Sequence, residues 1–184
     1  MKLSRAATLT QGRAVGEATF ERVSIDSRQV RPGDLFIAIR GDRFDGHDYA
    51  AQACVDGAVA CVVDHVVEQL PAQLVVADTR KALGQIAREM AAVCEAPRVA
   101  VTGNSGKTTV KEMIACMLGE GVHATRGNFN NDIGVPLTLM DLRPSHRYAV
   151  FELGANAPGE IAWTSSLVQP RVALITNVTG AHLE

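Results

Sequence analysis

The sequence predicts an α/β fold built from two units, residues 1–80 and residues 81–184. Two observations lead to this prediction. In the first half of the chain, short apolar runs alternate with turn residues, which is typical of a small unit of strands and helices. After Pro97, apolar strands alternate with helical patterns, and this order predicts a parallel sheet covered by helices. We expect the boundary near Asp78 or within the helix that follows it.

The first unit contains three apolar runs and one short helical pattern. Strands are predicted at residues 34–39, 58–63 and 74–76. The helix is predicted from Tyr49 to Asp56, and Gly57 provides its C-terminal stop. The segment before this helix is dense in Gly and Asp, so we expect a loop there.

The second unit alternates regularly between the two kinds of element. Helices are predicted at residues 79–95, 107–118 and 159–167, and strands at 98–102, 147–151 and 172–176. In the helix at 107–118, the residues at helical spacing are expected to face the core; they are Val110, Met113, Ile114 and Met117.

Composition and charge exclude several classes of protein. The net charge is −2 and aromatic residues make up 4% of the chain, so a nucleic-acid-binding surface is not expected. No apolar run approaches the roughly 18 residues of a membrane span, and the N-terminus is too polar for a signal peptide. We therefore expect a cytoplasmic protein. Its four cysteines form no C-x-x-C pair, and all four, including Cys116 in the helix at 107–118, are interpreted as reduced packing residues.

The segment from Thr102 to Thr109, T-G-N-S-G-K-T-T, is the clearest functional signal. It lies between an apolar strand and an amphipathic helix, and in this context such a motif indicates a phosphate-binding loop. Glycines allow the backbone to curl so that successive N–H groups point at phosphate oxygens, and the helix N-terminus adds further donors. Lys107 can reach the terminal phosphates, and the Thr108 hydroxyl can bind Mg²⁺.

This loop is shorter than the general phosphate-loop pattern. Val101 stands where that pattern has its first glycine, and the nearest glycine, Gly103, precedes Gly106 by only three residues. The alternative interpretation is a glycine turn that merely begins the helix.

Two further groups are expected at the same edge of the sheet. Glu152 follows the strand at 147–151, and His182 lies shortly after the strand at 172–176. Ligands of parallel sheets gather beyond the carboxyl ends of the strands, where a carboxylate can hold Mg²⁺. From position alone, Glu152 could equally be a solvated acid, and a lone histidine such as His182 is more often structural than a ligand.

An asparagine-rich loop, G-N-F-N-N-D-I-G, starts at Gly127. Asn side chains both donate and accept hydrogen bonds, so the loop could bind peptide or sugar amides. Turn chemistry, with Asp132 capping the next helix, explains the same residues equally well. Of the other histidines, only His47, in the Gly/Asp-rich loop, is a candidate functional residue.

Together these motifs resemble the Mur ligases, the ATP-dependent amide-bond ligases that assemble cell-wall precursors. The resemblance rests on the loop at 102–109, N-F-N-N at 128–131, F-E-L-G-A-N at 151–156 and A-H-L-E at 181–184. In the first unit, D-S-R at 26–28, P-G-D-L-F at 32–36, Gly41 and F-D-G-H at 44–47 resemble the UDP-binding domain of the family. The resemblance therefore implies a small α/β UDP-binding domain followed by an incomplete P-loop-type ATPase domain.

For the second unit the resemblance implies ATP and Mg²⁺ as cofactors. The phosphates would be cradled by Gly103, Asn104, Ser105, Gly106, Lys107, Thr108 and Thr109. Lys107 would neutralise the transferring group and Thr108 would hold one Mg²⁺. Glu152 and His182 would hold a second Mg²⁺, so that Lys107, Thr108, Glu152 and His182 form the catalytic set.

The resemblance also implies the substrates. It is strongest to the member that joins D-alanyl-D-alanine to UDP-N-acetylmuramoyl-tripeptide. The uridine diphosphate would lie near Asp26, Ser27, Arg28, Gly46 and His47. The muramoyl peptide would face Asn130 and Asn131. A monomer is expected.

Length is the main departure from the family. Members carry a longer central domain and a third domain, so the resemblance implies a fragment that does not complete the ligation alone. Three alternatives stay open: the neighbouring ligase that adds the third peptide residue, a non-catalytic module that binds the UDP-linked peptide, and a small-molecule kinase or folate-polyglutamate type of ligase that shares the loop.

Overall fold

The computed structural model of the protein describes residues 1–41 and 43–178. The chain divides into two compact units, Met1–Ile86 and Ala87–Glu184. None of the helices in the described part of the chain is both long and apolar enough to cross a membrane.

The first unit is a five-stranded sheet with helices. Its elements in chain order are α1 (Leu3–Thr10), β1 (Arg13–Val15), β2 (Arg22–Ser24), β3 (Asp34–Ile37), α2 (Ala50–Val55), β4 (Ala60–Val63), β5 (Gln73–Val75) and the start of α3 (Thr79–Met90). The strand order is β1-β5-β4-β3-β2; β1 runs antiparallel to β5 and the other neighbours run parallel. The central strand β4 and its neighbour β3 are fully buried, as strands covered on both faces are expected to be.

The second unit is a four-stranded parallel sheet. Its elements are the end of α3, β6 (Arg98–Thr102), α4 (Lys107–Leu118), β7 (Val122–Ala124), α5 (Gly134–Met140), β8 (Tyr148–Glu152), α6 (Glu160–Val168) and β9 (Val172–Ile175). The strand order is β7-β8-β6-β9. Val101 pairs with Glu152 and Thr102 pairs with Ile175, so β6, β8 and β9 end at one edge of the sheet.

The predicted α/β class is confirmed, and β6 and α4 have the predicted bounds. Sequence reasoning did not identify α1, β1, β2 or β7, and it anticipated α5 only as a helix after Asp132. Strands β1, β2 and β7 have three residues each, which is too short to show an alternating pattern.

The predicted buried face of α4 was wrong at Met113 and Met117, while Val110 and Ile114 are half-buried. Met113 and Met117 are 59% and 78% exposed, and Cys116 is also exposed, whereas Lys111 is buried at 1%. The helix turns the side that carries Lys111 toward β8 and β7, because the Lys111 ammonium finds a carbonyl partner there. A buried lysine is tolerated when its ammonium has a hydrogen-bond partner. The face of α4 that carries Lys111 is therefore the buried one, and Met113 and Met117 lie on the exposed side.

Candidate nucleotide and substrate sites

The loop between β6 and α4 has the backbone that a phosphate-binding loop needs. Gly103 has φ +133° and Gly106 has φ +77°, both in the region that side chains disfavour. A Cβ on Gly103 would collide with the Thr176 side chain and would lie 3.0 Å from the Asn177 backbone nitrogen. Gly103 is therefore required both by its conformation and by the close passage of the segment after β9.

Lys107 lies at the first position of α4 with its ammonium turned back over the loop. Its Nζ donates to the carbonyl oxygens of Gly103 at 2.7 Å and Asn104 at 3.2 Å. Both partners are neutral, so the positive charge of Lys107 stays available to an anion at the loop.

Thr108 and Glu152, which the resemblance assigned to two different Mg²⁺ ions, meet at the edge of the sheet. The Thr108 hydroxyl donates to Glu152 Oε2 at 2.9 Å, and Asn130 Nδ2 donates to Glu152 Oε1 at 2.8 Å. Glu152 is 2% exposed. Among the residues that the structure describes, none places a cation within ion-pair distance of this carboxyl group, and its side-chain partners, Thr108 and Asn130, are neutral donors.

These residues fit a magnesium ion. A hydroxyl and a carboxylate are hard oxygen ligands of the kind that Mg²⁺ selects, and a buried carboxylate without a cation is costly. His182, the third predicted ligand, lies outside the described residues.

The asparagine loop divides into two roles. Asn130 turns toward Glu152, and its backbone oxygen accepts the Gly154 N–H at 2.8 Å. Asn131 Oδ1 accepts the N–H groups of Ile133 and Gly134 at 3.2 and 2.8 Å, at the start of α5. The hydrogen bonds of this loop are thus largely those of a turn. One of its side-chain amides, that of Asn130, reaches the Glu152 carboxylate.

Sequence reasoning missed Thr176 and Asn177, which brace the loop from the end of β9. Asn177 Oδ1 accepts the N–H groups of Asn104 at 2.9 Å and Ser105 at 3.1 Å, and its Nδ2 donates to Ser105 Oγ at 2.7 Å. Thr176 Oγ1 donates to the Ser105 carbonyl at 2.7 Å. The signal that could have found them is their position directly after a strand whose end meets the loop.

A cavity of about 280 Å³ opens beside this loop. Gly103, Asn104 and Lys107 contribute one side of its lining, and Ala155, Ile161 and Ile175 contribute apolar surface. The cavity therefore offers a positive charge next to an apolar wall, a combination common to nucleotide sites.

The first unit carries a second cavity, of about 450 Å³. Four of the predicted substrate residues line it: Asp26, Ser27, Arg28 and Gly46. The remaining wall includes the exposed aromatic side chains of Phe44 and Tyr49. The cavity combines a cation with flat aromatic surface.

Arg28 is held at this cavity by Asp26. Asp26 Oδ1 and Oδ2 accept from Arg28 Nε and Nη2 at 2.9 and 2.8 Å, and Oδ1 also accepts the Arg28 N–H. The hydrogen bonds from Arg28 lower the pKa of Asp26 to about 2. The Arg28 side chain is nevertheless 86% exposed, so the guanidinium is oriented while it remains accessible to a ligand.

His47, the remaining residue predicted to bind the uridine diphosphate, is not among the residues that line this cavity. It is buried, its Nδ1 lies 2.5 Å from Asp45 Oδ1, and its Nε2 accepts the Asp64 N–H at 3.1 Å. This pattern assigns the ring proton to Nδ1. In the structure, His47 therefore fastens the loop around Gly46 to the end of β4.

Asp45 makes the stability of this loop depend on pH. The N–H and the ring of His47 hold the pKa of Asp45 well below its ordinary value. A depressed folded-state pKa contributes stability above the unfolded pKa of about 4 that is lost as pH falls toward the folded value. We expect the melting temperature of Asp45→Asn to fall less between pH 5 and pH 3 than that of the unmodified protein. Asp48→Asn, at an exposed neighbour, is the control; equal slopes for Asp45→Asn and the unmodified protein would contradict the assignment.

The strand, glycine loop and helix, with a buried carboxylate at the neighbouring strand end, define a nucleotide-binding domain of the P-loop type. Two family models match the chain: the catalytic domain of the Mur ligase family over residues 19–91 and the Mur ligase middle domain over residues 101–184. The chain belongs to the Mur ligase family.

Among curated proteins, the chain is similar to ligases that carry one name, UDP-N-acetylmuramoyl-tripeptide–D-alanyl-D-alanine ligase. That of Escherichia coli K12 is 48% identical over 185 residues, which cover 99% of this chain and 41% of that protein. That of Bacillus subtilis 168 is 41% identical over 167 residues, which cover 88% of this chain and 36% of that protein. The chain thus spans about two-fifths of the length of these relatives.

Solved structures are similar over the same span. A crystal structure of MurF from Acinetobacter baumannii matches with a TM-score of 0.88 and 44% identity, covering 98% of this chain and 42% of that one. MurF from Thermotoga maritima in complex with ADP matches with a TM-score of 0.82 and 36% identity, covering 89% of this chain and 39% of that one.

Proposed function

We propose that this chain supplies the UDP-binding and phosphate-binding parts of a ligase that uses ATP to join D-alanyl-D-alanine to UDP-N-acetylmuramoyl-tripeptide. The observation that carries the proposal is the meeting of Thr108 with the buried Glu152 beside the phosphate loop. The named activity of the relatives and the ADP bound by the Thermotoga structure support the choice of substrates and nucleotide.

The chemistry starts from a carboxylate, which is a poor acyl donor. A terminal carboxylate oxygen of the tripeptide attacks the γ-phosphorus of ATP, the bond to the β-phosphate oxygen breaks, and ADP leaves. The amine of D-alanyl-D-alanine then attacks the carbonyl carbon of the acyl phosphate. Inorganic phosphate departs with the bonding pair, and the amine loses its proton to give the amide.

Residues of the loop would stabilise the phosphoryl transfer by position and charge. The unpaired N–H groups of the first turn of α4 would face the phosphate oxygens, because the glycines curl the backbone there. Lys107 would exchange its carbonyl partners for phosphate oxygens and offset the charge that develops on the transferring group. Thr108 and Glu152 would hold Mg²⁺, which would supply positive charge against the phosphates.

The first unit would hold the nucleotide part of the substrate. A uridine diphosphate offers a flat ring and two phosphates, and the cavity offers the exposed rings of Phe44 and Tyr49 together with the Arg28 guanidinium. Aromatic faces suit the ring, and an oriented guanidinium suits the phosphates. We also infer that the ligase acts in the cytoplasm, where ATP is available. The monomeric state stays a prediction.

Titration with UDP tests the first half of this proposal. We expect the 184-residue chain to bind UDP and Arg28→Ala to bind it about 10- to 100-fold more weakly, because a charge-assisted contact is lost. Arg13→Ala, which removes an exposed arginine on β1, is the matched control and should bind UDP normally.

The same titration discriminates the other classes of ligase. A chain that binds no UDP-linked ligand but binds a folate would contradict the proposal and favour a folate-polyglutamate type of ligase. If the chain binds UDP-N-acetylmuramoyl-tripeptide but does not bind ATP, the result would instead favour a non-catalytic binding module.

A further inference from the structure

Lys111 is a buried cation to which the reaction assigns no role. It is 1% exposed and lies one turn after Thr108 on α4. Because residues three apart share a face of a helix, Thr108 and Lys111 lie on the same face of α4, where Thr108 is exposed at the strand ends and Lys111 is buried. Burial of an ammonium is costly, so a lysine at this position needs partners that outweigh the loss of water.

The partners of Lys111 connect it to the end of β7. Its Nζ donates to the Thr125 carbonyl oxygen at 2.7 Å and lies 2.7 Å from the carboxylate of Glu112, which is 65% exposed. Thr125 follows the last residue of β7 directly. The ammonium therefore clamps the first residue beyond that strand to the helix.

Thr125 in turn holds the backbone of Glu152. The Thr125 N–H donates to the Val150 carbonyl at 3.0 Å, and Thr125 Oγ1 accepts the Glu152 N–H at 3.0 Å. The regular pairing of β7 with β8 ends at Ala124 and Val150, so the Thr125 side chain extends the ladder to the residue that carries the carboxylate. Helix α4 is thus connected to Glu152 in two ways: Lys111 reaches the Glu152 backbone through Thr125, and Thr108 contacts the Glu152 side chain directly.

We propose that Lys111 is a positioning residue for the magnesium ligands: its buried ammonium fixes the Thr125 carbonyl, and Thr125 fixes the Glu152 backbone so that the carboxylate meets Thr108. The proposal rests on the proposed function for the metal itself. The clamp, by contrast, is a property of the protein alone and is present without metal or nucleotide.

Amide hydrogen exchange tests the clamp in the metal-free and nucleotide-free 184-residue chain. In Lys111→Met, which keeps the length of the side chain but removes its charge, we expect the Glu152 amide to exchange about tenfold faster, while the amides of the first unit keep their rates. Thr125→Val, which removes the accepting oxygen and keeps the shape, should raise the same rate. Lys81→Met, the same change at an exposed lysine of α3, should leave it unchanged.

A second measurement separates positioning from general stability. In Lys111→Met the half-saturating Mg²⁺ concentration for nucleotide binding should rise at least threefold, because a misplaced ligand binds the metal less well. If Lys111→Met does not give a folded protein, Lys111→Leu is measured in the same way.

The possible failures are distinguishable. An unchanged Glu152 exchange rate in Lys111→Met or in Thr125→Val overturns the clamp. An equal increase at every amide also overturns it, because Lys111 would then act only on global stability. If the unmodified chain binds no nucleotide with Mg²⁺ but the selective exchange effect is present, the clamp stands and the proposed function fails.

Discussion

Replacement of Lys107 by methionine is expected to lower the rate of acyl-phosphate formation by at least about 10²- to 10³-fold in the full-length ligase. The physical reason is the unpaired charge of Lys107. Its ammonium contacts only the neutral carbonyls of Gly103 and Asn104, so the loop has a cation that no carboxylate of the described chain neutralises. Methionine fills a similar volume without that charge. The measurement is ATP-dependent phosphorylation of UDP-N-acetylmuramoyl-tripeptide in a single turnover.

Binding of the UDP-linked substrate provides the internal control for Lys107→Met. The cavity of Asp26, Ser27 and Arg28 lies in the first unit and contains no residue of the loop, so UDP affinity should be unchanged. Lys81→Met controls for loss of a lysine at a helix surface. Normal phosphorylation by Lys107→Met, or an equal loss of UDP binding, would refute the assignment of Lys107 to the transferring phosphate.

The loop and its helix could be predicted from sequence because their signals are local. Gly103, Gly106 and Lys107 stand within five residues of one another, between a strand and a helix whose patterns are clear. The position of Glu152 beside the loop was also predictable, because parallel strands end at a common edge of the sheet and Glu152 is the last residue of one of them. These inferences need only chain order and the geometry of a parallel sheet.

Contacts between distant segments could not be predicted in this way. The sequence did not predict that the Asn130 amide reaches Glu152, 22 residues further along the chain. Asn177 reaches the loop across more than 70 residues. Asn side chains satisfy turns, caps and ligands with the same atoms, so only the packed structure decides among these partners.

Lys111 illustrates a different limit of sequence reasoning. Hydrophobic spacing selected Met113 and Met117 for the core because apolar residues usually mark the buried face. The structure instead buries the lysine, because Thr125 offers a carbonyl at the end of β7. Spacing from Thr108 was the available signal: Lys111 lies three positions after the residue whose hydroxyl meets Glu152, and it therefore shares that face of the helix.

Glu152→Gln is expected to raise the half-saturating Mg²⁺ concentration of the full-length ligase about 10- to 100-fold and to lower kcat. The amide keeps the shape of the side chain and can still hydrogen-bond with Thr108 and Asn130, so the loss is confined to negative charge at the metal. A Mg²⁺ titration of turnover measures the effect. Glu120→Gln, at an exposed glutamate, is the matched control. An unaltered Mg²⁺ dependence in Glu152→Gln would remove Glu152 from the site.

Glu152→Gln is expected to weaken Mg²⁺ binding without lowering the thermal stability of the metal-free protein. Glu152 is 2% exposed, and its partners among the described residues are neutral donors; a buried carboxylate without a cation is unfavourable, so the neutral amide should leave the melting temperature unchanged or raise it. A structural role for Glu152 would instead require the variant to melt earlier. Loss of metal affinity without loss of stability would therefore identify a residue retained for its charge at the phosphate loop, at the expense of the stability of the empty site.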